Sequence, residues 1–277
     1  MKTTLSATSA GQVTLGDLTI NRIGLGTNRI TDTEVAHAVL CRAAQLGINF
    51  IDTADVYQRN ASEEAIGKTL APYPAGLIIA TKGGMSPADS SPINDPAYLR
   101  KALEGSLKRL KLSRIELYQL HRVDPNVPVE DTVGLLKSLQ DEGKIHHIGL
   151  SEVTVEQIER ARKVAEIVSV QNQYNITQRK HEAVLDYCEA SGIVFIPWFP
   201  LAKGKLNDGA LTNIAKKHNT SPQGIAIAWL LQRSPVILPI PGTLSIEHLE
   251  SNIAATSIKL TEDEFEELNE MAAIPQQ

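Results

Sequence analysis

One pattern repeats along the sequence: a short apolar run rich in β-branched residues, followed by a longer segment with helical periodicity. Eight runs of this kind occur, at Arg22–Gly26, Ile48–Ile51, Leu77–Ala80, Ile115–Leu120, Ile145–Gly149, Ile167–Val170, Ile193–Ile196 and Val236–Ile240. Continuously apolar strands are typical of a parallel sheet that is covered on both faces. Eight strand and helix units predict that the sheet closes into a (β/α)8 TIM barrel.

The segments between the strands contain residues that favour helix starts. Asp95 can cap a helix whose first turn holds Pro96, and an apolar stripe follows from Leu99 to Leu110. Further N-caps are predicted at Thr154, Ser221, Ser245 and Thr261. The last of these caps predicts a C-terminal helix.

The ends of the chain fit the same architecture. Residues 12–20 predict a β-hairpin that turns at Gly16-Asp17 and plugs the bottom of the barrel. The chain has 277 residues, a length that one barrel can use completely, and no linker interrupts it. We therefore expect a single domain over residues 1–277.

An open Rossmann sheet is the competing α/β arrangement. It requires a GxGxxG turn after the first strand, whereas the turn here reads GLGTNR at 24–29 and lacks the third glycine. This difference favours the barrel.

Charge and composition exclude several classes of partner. The formal net charge is -5, so no basic surface is expected to attract nucleic acid or an anionic membrane. No apolar stretch reaches the length of a signal peptide core or a spanning helix, which predicts a cytoplasmic protein. We expect a monomer whose partner is a small molecule.

The sequence contains no familiar metal motif. Cys41 and Cys188 lie outside any CxxC pattern and are expected to be core thiols. The adjacent residues His146 and His147 do not have the i, i+4 spacing of a helical metal pair. No metal ion is therefore predicted.

Ionisable residues stand where three predicted strands end. Asp52, Lys82 and His121 each follow an apolar run, and Tyr57 lies in the loop after Asp52. In (β/α)8 barrels the carboxyl ends of the strands surround the active site. An ammonium beside a phenol favours the phenolate, so Lys82 is predicted to lower the pKa of Tyr57, with Asp52 as the counter-ion of Lys82. Each residue alone has an ordinary structural explanation, but together they predict a catalytic group.

These residues carry a resemblance to the aldo-keto reductase family, in its bacterial branch. The matching segments read NFIDTADVY at 49–57, ATK at 80–82 and LYQLH at 117–121. Later segments continue the match with GKIHHIGLS at 143–151, SVQNQYN at 169–175 and IPGT at 240–243. The resemblance implies that Asp52, Tyr57, Lys82 and His121 are the catalytic residues.

The resemblance also implies a nicotinamide cofactor. The residues that match cofactor-binding positions of the family are Gly26, Thr27, Asp52, Ser151, Glu152, Gln171, Trp198, Phe199, Pro200, Leu201, Ala202, Lys203, Ile240, Gly242, Thr243, His248, Ser251 and Asn252. Among them, Ser151, Glu152 and Gln171 resemble the residues that hold the carboxamide, and Trp198 stands where an aromatic ring stacks on the nicotinamide. The helix that starts near Ser245 adds positive potential for a phosphate.

Some of these positions differ from the common pattern of the family. Glu152 stands where many members have Asn, and Trp198 replaces the commoner Tyr. Gly242 and His248 stand where many members place Lys and Arg around the 2′-phosphate. NADPH is the predicted cofactor, with NADH left open.

The activity implied by the resemblance is reduction of an aldehyde or ketone to an alcohol. Hydride comes from the nicotinamide and a proton from Tyr57, while His121 stabilises the developing alkoxide. The residues predicted to line the substrate pocket are Asn28, Tyr57, Met85, His121, Arg122 and Trp198. Pyridoxal or another small aromatic aldehyde is a candidate substrate.

Two other functions are compatible with a barrel. Lys82 could form a Schiff base in an aldolase or isomerase. Alternatively, the chain could bind nicotinamide as a sensor or regulatory subunit with little turnover.

Overall fold

The computed structural model describes residues 5–202, 206 and 209–271. After a short 3-10 helix at Ala7–Ala10, strands β1 (Gln12–Leu15) and β2 (Leu18–Asn21) form an antiparallel hairpin. Seven parallel strands follow, and their order in the sheet is their order in the chain. They are β3 (Leu25–Gly26), β4 (Phe50–Asp52), β5 (Ile78–Gly83), β6 (Ile115–Leu120), β7 (Ile145–Ser151), β8 (Ile167–Gln171) and β9 (Val194–Phe195).

In the described residues one helix follows each strand from β3 to β8, and four helices follow β9. They are α1 (Glu34–Gln45), α2 (Ala61–Leu70), α3 (Pro96–Leu110), α4 (Val129–Asp141), α5 (Val155–Arg162), α6 (Glu182–Ser191), α7 (Gly209–Lys217), α8 (Pro222–Arg233), α9 (Ile246–Ala255) and α10 (Glu262–Glu270). The sequence and the structure therefore agree on a (β/α)8 barrel with an N-terminal hairpin and a C-terminal helix.

The segment 236–240 closes the barrel without forming a regular strand. Phe195 N donates to Val236 O at 2.9 Å, Leu238 N donates to Phe195 O at 2.9 Å, and Gly24 N donates to Pro239 O at 2.9 Å. The eighth run thus connects β9 to the chain just before β3. A strand over Val236–Ile240 was predicted, but Pro239 has no N–H to donate, so a continuous ladder cannot form.

The predicted N-caps are confirmed. The side chains that accept a backbone N–H at a helix start include those of Asp95, Thr154, Ser221, Ser245 and Thr261. Thr154 and Thr261 complete reciprocal capping boxes with Gln157 and Glu264. These caps satisfy N–H groups that a helix leaves free at its start, and so they fix where each helix begins.

The hairpin fills the bottom of the barrel. Leu15 and Ile20 are fully buried and pack against barrel-lining residues that include Phe50, Leu117 and Val194. A Cβ on Gly16 at the hairpin turn would lie 2.2 Å from the His147 ring at the start of β7. The opposite mouth, where the strands end, is left for a site.

The two cysteines have different environments. Cys188 in α6 is buried, and burial raises the pKa of its thiol to about 12. Cys41 in α1 is exposed, so the prediction that it is a core thiol was wrong. Its neighbours Leu40 and Ala43 occupy the buried face of the helix, which turns Cys41 to solvent. None of the described helices has the length and apolarity needed to cross a membrane.

Candidate active site

Three strand ends bring ionisable side chains to one mouth of the barrel. Asp52 is the last residue of β4, Lys82 is the next-to-last residue of β5, and His121 follows β6 directly. In the sheet, Asp52 is opposite Ala80 and Lys82 is opposite Gln119, so the strand ends lie side by side. Parallel register therefore brings together residues far apart in the sequence.

Lys82 is at the centre of the polar cluster. Its Nζ donates to Asp52 Oδ2 at 2.7 Å, to the Thr53 carbonyl oxygen at 2.7 Å and to Tyr57 Oη at 3.3 Å. The side chain of Lys82 is 0% exposed and that of Asp52 is 2% exposed. All three ammonium protons thus have acceptors, which is what a buried cation requires.

The second oxygen of the Asp52 carboxylate is also engaged. Asp52 Oδ1 accepts from Gln171 Nε2 at 2.8 Å and from Gln119 Nε2 at 3.3 Å. Gln119 was not predicted as a site residue, although a polar residue inside the apolar run of β6 was a usable signal. Gln171 donates one N–H to the carboxylate, so this contact fixes its amide at the wall of the site.

The cluster keeps Lys82 charged and Tyr57 protonated. Burial lowers the pKa of Lys82, but the charge of Asp52 and the phenol of Tyr57 outweigh burial, and the net pKa is raised. Burial raises the pKa of Tyr57, and the opposing effect of Lys82 is smaller, so that pKa is raised as well. A lowered pKa of Tyr57 was expected from the sequence; desolvation of the phenol reverses the sign. Tyr57 is therefore a neutral phenol that holds a proton.

His121 faces the phenol as a neutral imidazole. The rings of Tyr57 and His121 have centroids 5.9 Å apart and meet edge to face at 78°. Burial, Lys82 and Arg122 lower the pKa of His121 well below its usual value. Its buried Nδ1 has no hydrogen-bond partner in the described residues. The imidazole can therefore donate a hydrogen bond to a substrate oxygen without carrying a charge.

These groups open into a cleft of about 1020 Å³. The predicted site residues that line it are Gly26, Thr27, Asn28, Asp52, Tyr57, Met85, His121, Arg122, Ser151, Gln171, Trp198, Phe199, Pro200, Leu201, Ile240, Gly242, Thr243, His248, Ser251 and Asn252. The lining residues that sequence reasoning missed are Arg29, Ser221, Gln223, Pro241 and Glu247. Pro241 lies in the matched segment at 240–243 and Ser221 is a predicted N-cap, but neither was named as a site residue.

Two predicted cofactor residues do not line the cleft, and a third lies outside the described residues. Ala202 is described but does not line the cleft, and Lys203 lies outside the described residues. Glu152 does not line the cleft either, since its Oε1 accepts from Trp198 Nε1 at 2.7 Å and from Gln173 N at 2.7 Å. Burial raises the pKa of Glu152, but hydrogen bonds from Gln173 and Trp198 outweigh burial and the net pKa is lowered. The Glu152 carboxylate thus stays ionised and holds the indole.

The cleft has the features that a dinucleotide requires. A Cβ on Gly242 would lie 2.7 Å from the Gly26 carbonyl oxygen, so glycine at 242 keeps these two backbone segments in contact. The N-terminus of α9, capped by Ser245, is at the cleft, where Glu247 and His248 of its first turn are lining residues. A helix N-terminus favours a phosphate there, and the polar end at Asp52 suits a ring with an amide. The residues present therefore fit a nicotinamide dinucleotide.

Comparisons with known proteins agree with this geometry. The model of the Aldo/keto reductase family matches residues 22–273. An uncharacterized oxidoreductase of Schizosaccharomyces pombe is 45% identical over 280 residues, which cover 96% of this chain and 91% of the relative. The chain therefore belongs to the aldo/keto reductase family, a family of oxidoreductases.

Two further similarities bear on the chemistry. Pyridoxine 4-dehydrogenase of Escherichia coli is 39% identical over 274 residues, covering 92% of this chain and 96% of that enzyme. A crystal structure of an aldo-keto reductase from Klebsiella pneumoniae in complex with NADPH has a TM-score of 0.84 at 27% identity, covering 96% of each chain.

Proposed function

We propose that the chain catalyses the NADPH-dependent reduction of an aldehyde or ketone to an alcohol. The observation that carries this proposal is the protonated Tyr57 phenol, which lines the cleft with its oxygen 3.3 Å from the charged Lys82. A phenol beside an ammonium can release a proton and leave a phenolate that the ammonium stabilises.

In the proposed reaction each of the four polar residues has its own role. Reduced nicotinamide, when bound, supplies hydride to the carbonyl carbon. His121 donates a hydrogen bond to the carbonyl oxygen and fixes its direction. Tyr57 Oη gives its proton to that oxygen as the alkoxide develops. The charge of Lys82 then stabilises the phenolate, and Asp52 keeps the buried Lys82 charged.

The other residues that line the cleft are proposed to bind the cofactor. Ser151 and Gln171 at the ends of β7 and β8 are proposed to hold the carboxamide, and Trp198 to stack on the nicotinamide ring. Arg29 is an exposed cation at the cleft, and its guanidinium donates to the Gly242 carbonyl oxygen at 2.8 Å. This cation and the N-terminus of α9 support NADPH over NADH, together with the complex known for the relative from Klebsiella pneumoniae.

A small aromatic aldehyde such as pyridoxal is the proposed substrate class. The similarity to pyridoxine 4-dehydrogenase supports it. So does the composition of the mouth, where Trp198 and Met85 offer apolar contact and Asn28 and Arg122 offer polar contact. We also propose that residues 1–277 form one domain and that the protein is a cytoplasmic monomer.

The geometry does not favour the Schiff-base alternative. A Schiff-base lysine must be neutral and must reach the substrate. Lys82 has a raised pKa, donates to three oxygens and does not line the cleft. A sensor function does not explain the protonated Tyr57 in the cleft, because cofactor binding alone needs no proton donor.

Substitution of the phenol tests the proposal. We expect Tyr57→Phe to lower kcat about 100-fold or more with pyridoxal or another aldehyde, since removing a general acid has effects of that size. NADPH oxidation followed by absorbance measures it, with NADH assayed in parallel. Tyr73→Phe is the matched control, because the Tyr73 hydroxyl donates to the Leu110 carbonyl oxygen away from the cleft. Near-normal turnover by Tyr57→Phe with NADPH binding intact would contradict the acid role of Tyr57. If the wild-type protein turned over none of a panel of carbonyl compounds, the sensor function would be favoured instead.

A further inference from the structure

A cluster of metal-ligating side chains lies at the end of the barrel opposite the candidate active site. Asp17 is in the turn between β1 and β2, and His146 and His147 are near the start of β7. Their ligand atoms all lie within 4.8 Å of one another, and among the described residues they form the group of three or more His, Cys, Asp or Glu side chains that meets this distance. The proposed reduction does not use them.

The three side chains converge on a single point. Asp17 Oδ1 lies 2.8 Å from His146 Nε2 and 2.7 Å from His147 Nε2. The two imidazole centroids are 4.1 Å apart and their planes are inclined by 60°. Successive side chains of a strand normally point to opposite faces, so adjacent histidines rarely share a ligand. Here the hairpin turn crosses the start of β7, and its carboxylate meets both rings.

The conformation of the hairpin turn allows its backbone to lie close to the His147 ring. Gly16 has a φ of +61°, and a Cβ at this position would lie 2.2 Å from His147 Cε1 and 2.4 Å from His147 Nε2. A side chain at position 16 would therefore clash with the His147 ring in a backbone conformation that favours glycine. The His147 side chain is 10% exposed and that of Asp17 is 68% exposed, so the cluster has a buried wall and an open side.

We propose that Asp17, His146 and His147 bind a divalent first-row transition-metal ion, with Zn²⁺ as the test ion. Two imidazole nitrogens and one carboxylate oxygen form a ligand set that zinc and its neighbours accept, with water in the remaining position. Tetrahedral bonds of about 2.0 to 2.1 Å separate neighbouring ligands by about 3.3 Å, so the observed contacts need to open by about half an ångström.

A metal ion needs the lone pair of the imidazole nitrogen that faces Asp17. Each imidazole would therefore bind through Nε2 with its single proton on Nδ1. The ion would join the hairpin to β7, so binding would stabilise the folded chain. No metal was predicted because His146 and His147 lack the spacing of a helical metal pair. Asp17 lies far from them in the sequence, and only the fold brings it near.

Titration of the full-length protein with Zn²⁺ tests this site. Calorimetry is expected to show one ion bound per chain, and Asp17→Asn and His146→Gln are each expected to weaken binding at least tenfold. Both substituted residues are partly exposed, so the variants should fold. His37→Gln is the matched control, since His37 pairs with the single carboxylate of Asp32 at 2.8 Å.

Thermal denaturation gives a second readout. With free Zn²⁺ at about 100 times its Kd, the Tm of the wild-type protein and of His37→Gln should rise by about 5 °C, whereas Mg²⁺ should leave it unchanged. Reductase activity without added metal should be the same in all four proteins. The proposal is overturned if the wild-type protein shows no saturable binding, if Asp17→Asn and His146→Gln bind Zn²⁺ as tightly as wild type, or if Mg²⁺ stabilises equally.

Discussion

At the scale of single residues, the charge state of Lys82 decides what the site can do. The residue is buried, and burial alone favours a neutral amine. Asp52 and the Thr53 carbonyl oxygen accept its protons at 2.7 Å each, so the ammonium is retained. A permanent cation beside Tyr57 stabilises the phenolate that remains after proton transfer, rather than removing the proton beforehand.

Asp55 is a second buried carboxyl close to this cluster. Burial, together with the charge of Glu63, raises its pKa from 3.8 to about 7. A group whose pKa rises on folding binds its proton more tightly in the folded state. The resulting stability is complete below about pH 4 and is lost as the pH rises through about 7.

We therefore expect Asp55→Asn to remove part of the pH dependence of stability. Between pH 5 and pH 8 the free energy of unfolding of the wild-type protein should fall relative to that of the variant, because only the wild type must ionise a buried carboxyl. Urea unfolding at a series of pH values measures the difference. Parallel curves for the two proteins would show that Asp55 does not titrate in this range.

Glu152 is expected to act through Trp198. The carboxylate accepts from Trp198 Nε1 at 2.7 Å and so orients the ring that is proposed to stack on the nicotinamide. Glu152→Ala should raise the Kd for NADPH about tenfold, which corresponds to the loss of one charge-assisted hydrogen bond. Fluorescence titration with NADPH measures the Kd. Glu152→Gln keeps an acceptor oxygen and serves as the control; equal Kd values for all three proteins would contradict the positioning role.

At the scale of elements, the sequence predicted the regular parts and missed what depends on contacts between them. Strands and helix starts follow from local patterns, so β6 and the cap at Asp95 were predicted closely. Segment 236–240 departs from a strand because Pro239 interrupts the ladder. Asp52, Lys82 and His121 were singled out because strand ends are recognisable, and the structure brings them together with Tyr57. The hydrogen bond between Glu152 and Trp198, by contrast, depends on how the fold places the two residues, and no local sequence pattern predicts it.

The contact between α2, α3 and β5 was also outside the reach of local patterns. Glu63 in α2 has a fully buried side chain and accepts from Arg109 Nε at 2.7 Å and from Thr81 Oγ1 at 2.5 Å. At Gly67, a Cβ would lie 2.1 Å from the Arg109 carbonyl oxygen, so the two helices touch. This buried pair therefore joins two helices to the strand that carries Lys82.

We expect Arg109→Ala to lower the free energy of unfolding by about 3 to 5 kcal/mol, because it leaves the buried Glu63 carboxylate without its cationic partner. The double variant Glu63→Gln with Arg109→Met should recover much of the loss, since a buried pair can be replaced by uncharged groups of similar volume. Denaturation midpoints in urea compare the three proteins. A double variant no more stable than Arg109→Ala would contradict this explanation.

At the scale of the whole molecule, the two ends of the barrel have separate tasks. Asp52, Tyr57, Lys82 and His121 meet where the strands end, and the hairpin fills the mouth where they begin. Residues at the closed end of such barrels contribute to stability, and residues at the open end contribute to catalysis. A substitution in the hairpin should therefore change stability and spare activity.

Leu15 offers the sharpest test of this separation. It is fully buried among barrel-lining residues, so Leu15→Ala should lower the free energy of unfolding by about 2 to 5 kcal/mol through lost burial and a cavity. Leu18→Ala removes the same atoms from a partly buried position across the same turn and should have a smaller effect. Thermal denaturation measures both losses, and kcat/KM at a temperature where each variant is folded should stay close to wild type. A folded Leu15→Ala protein with strongly reduced kcat/KM would contradict this separation and show that packing at the closed end affects the geometry around Lys82.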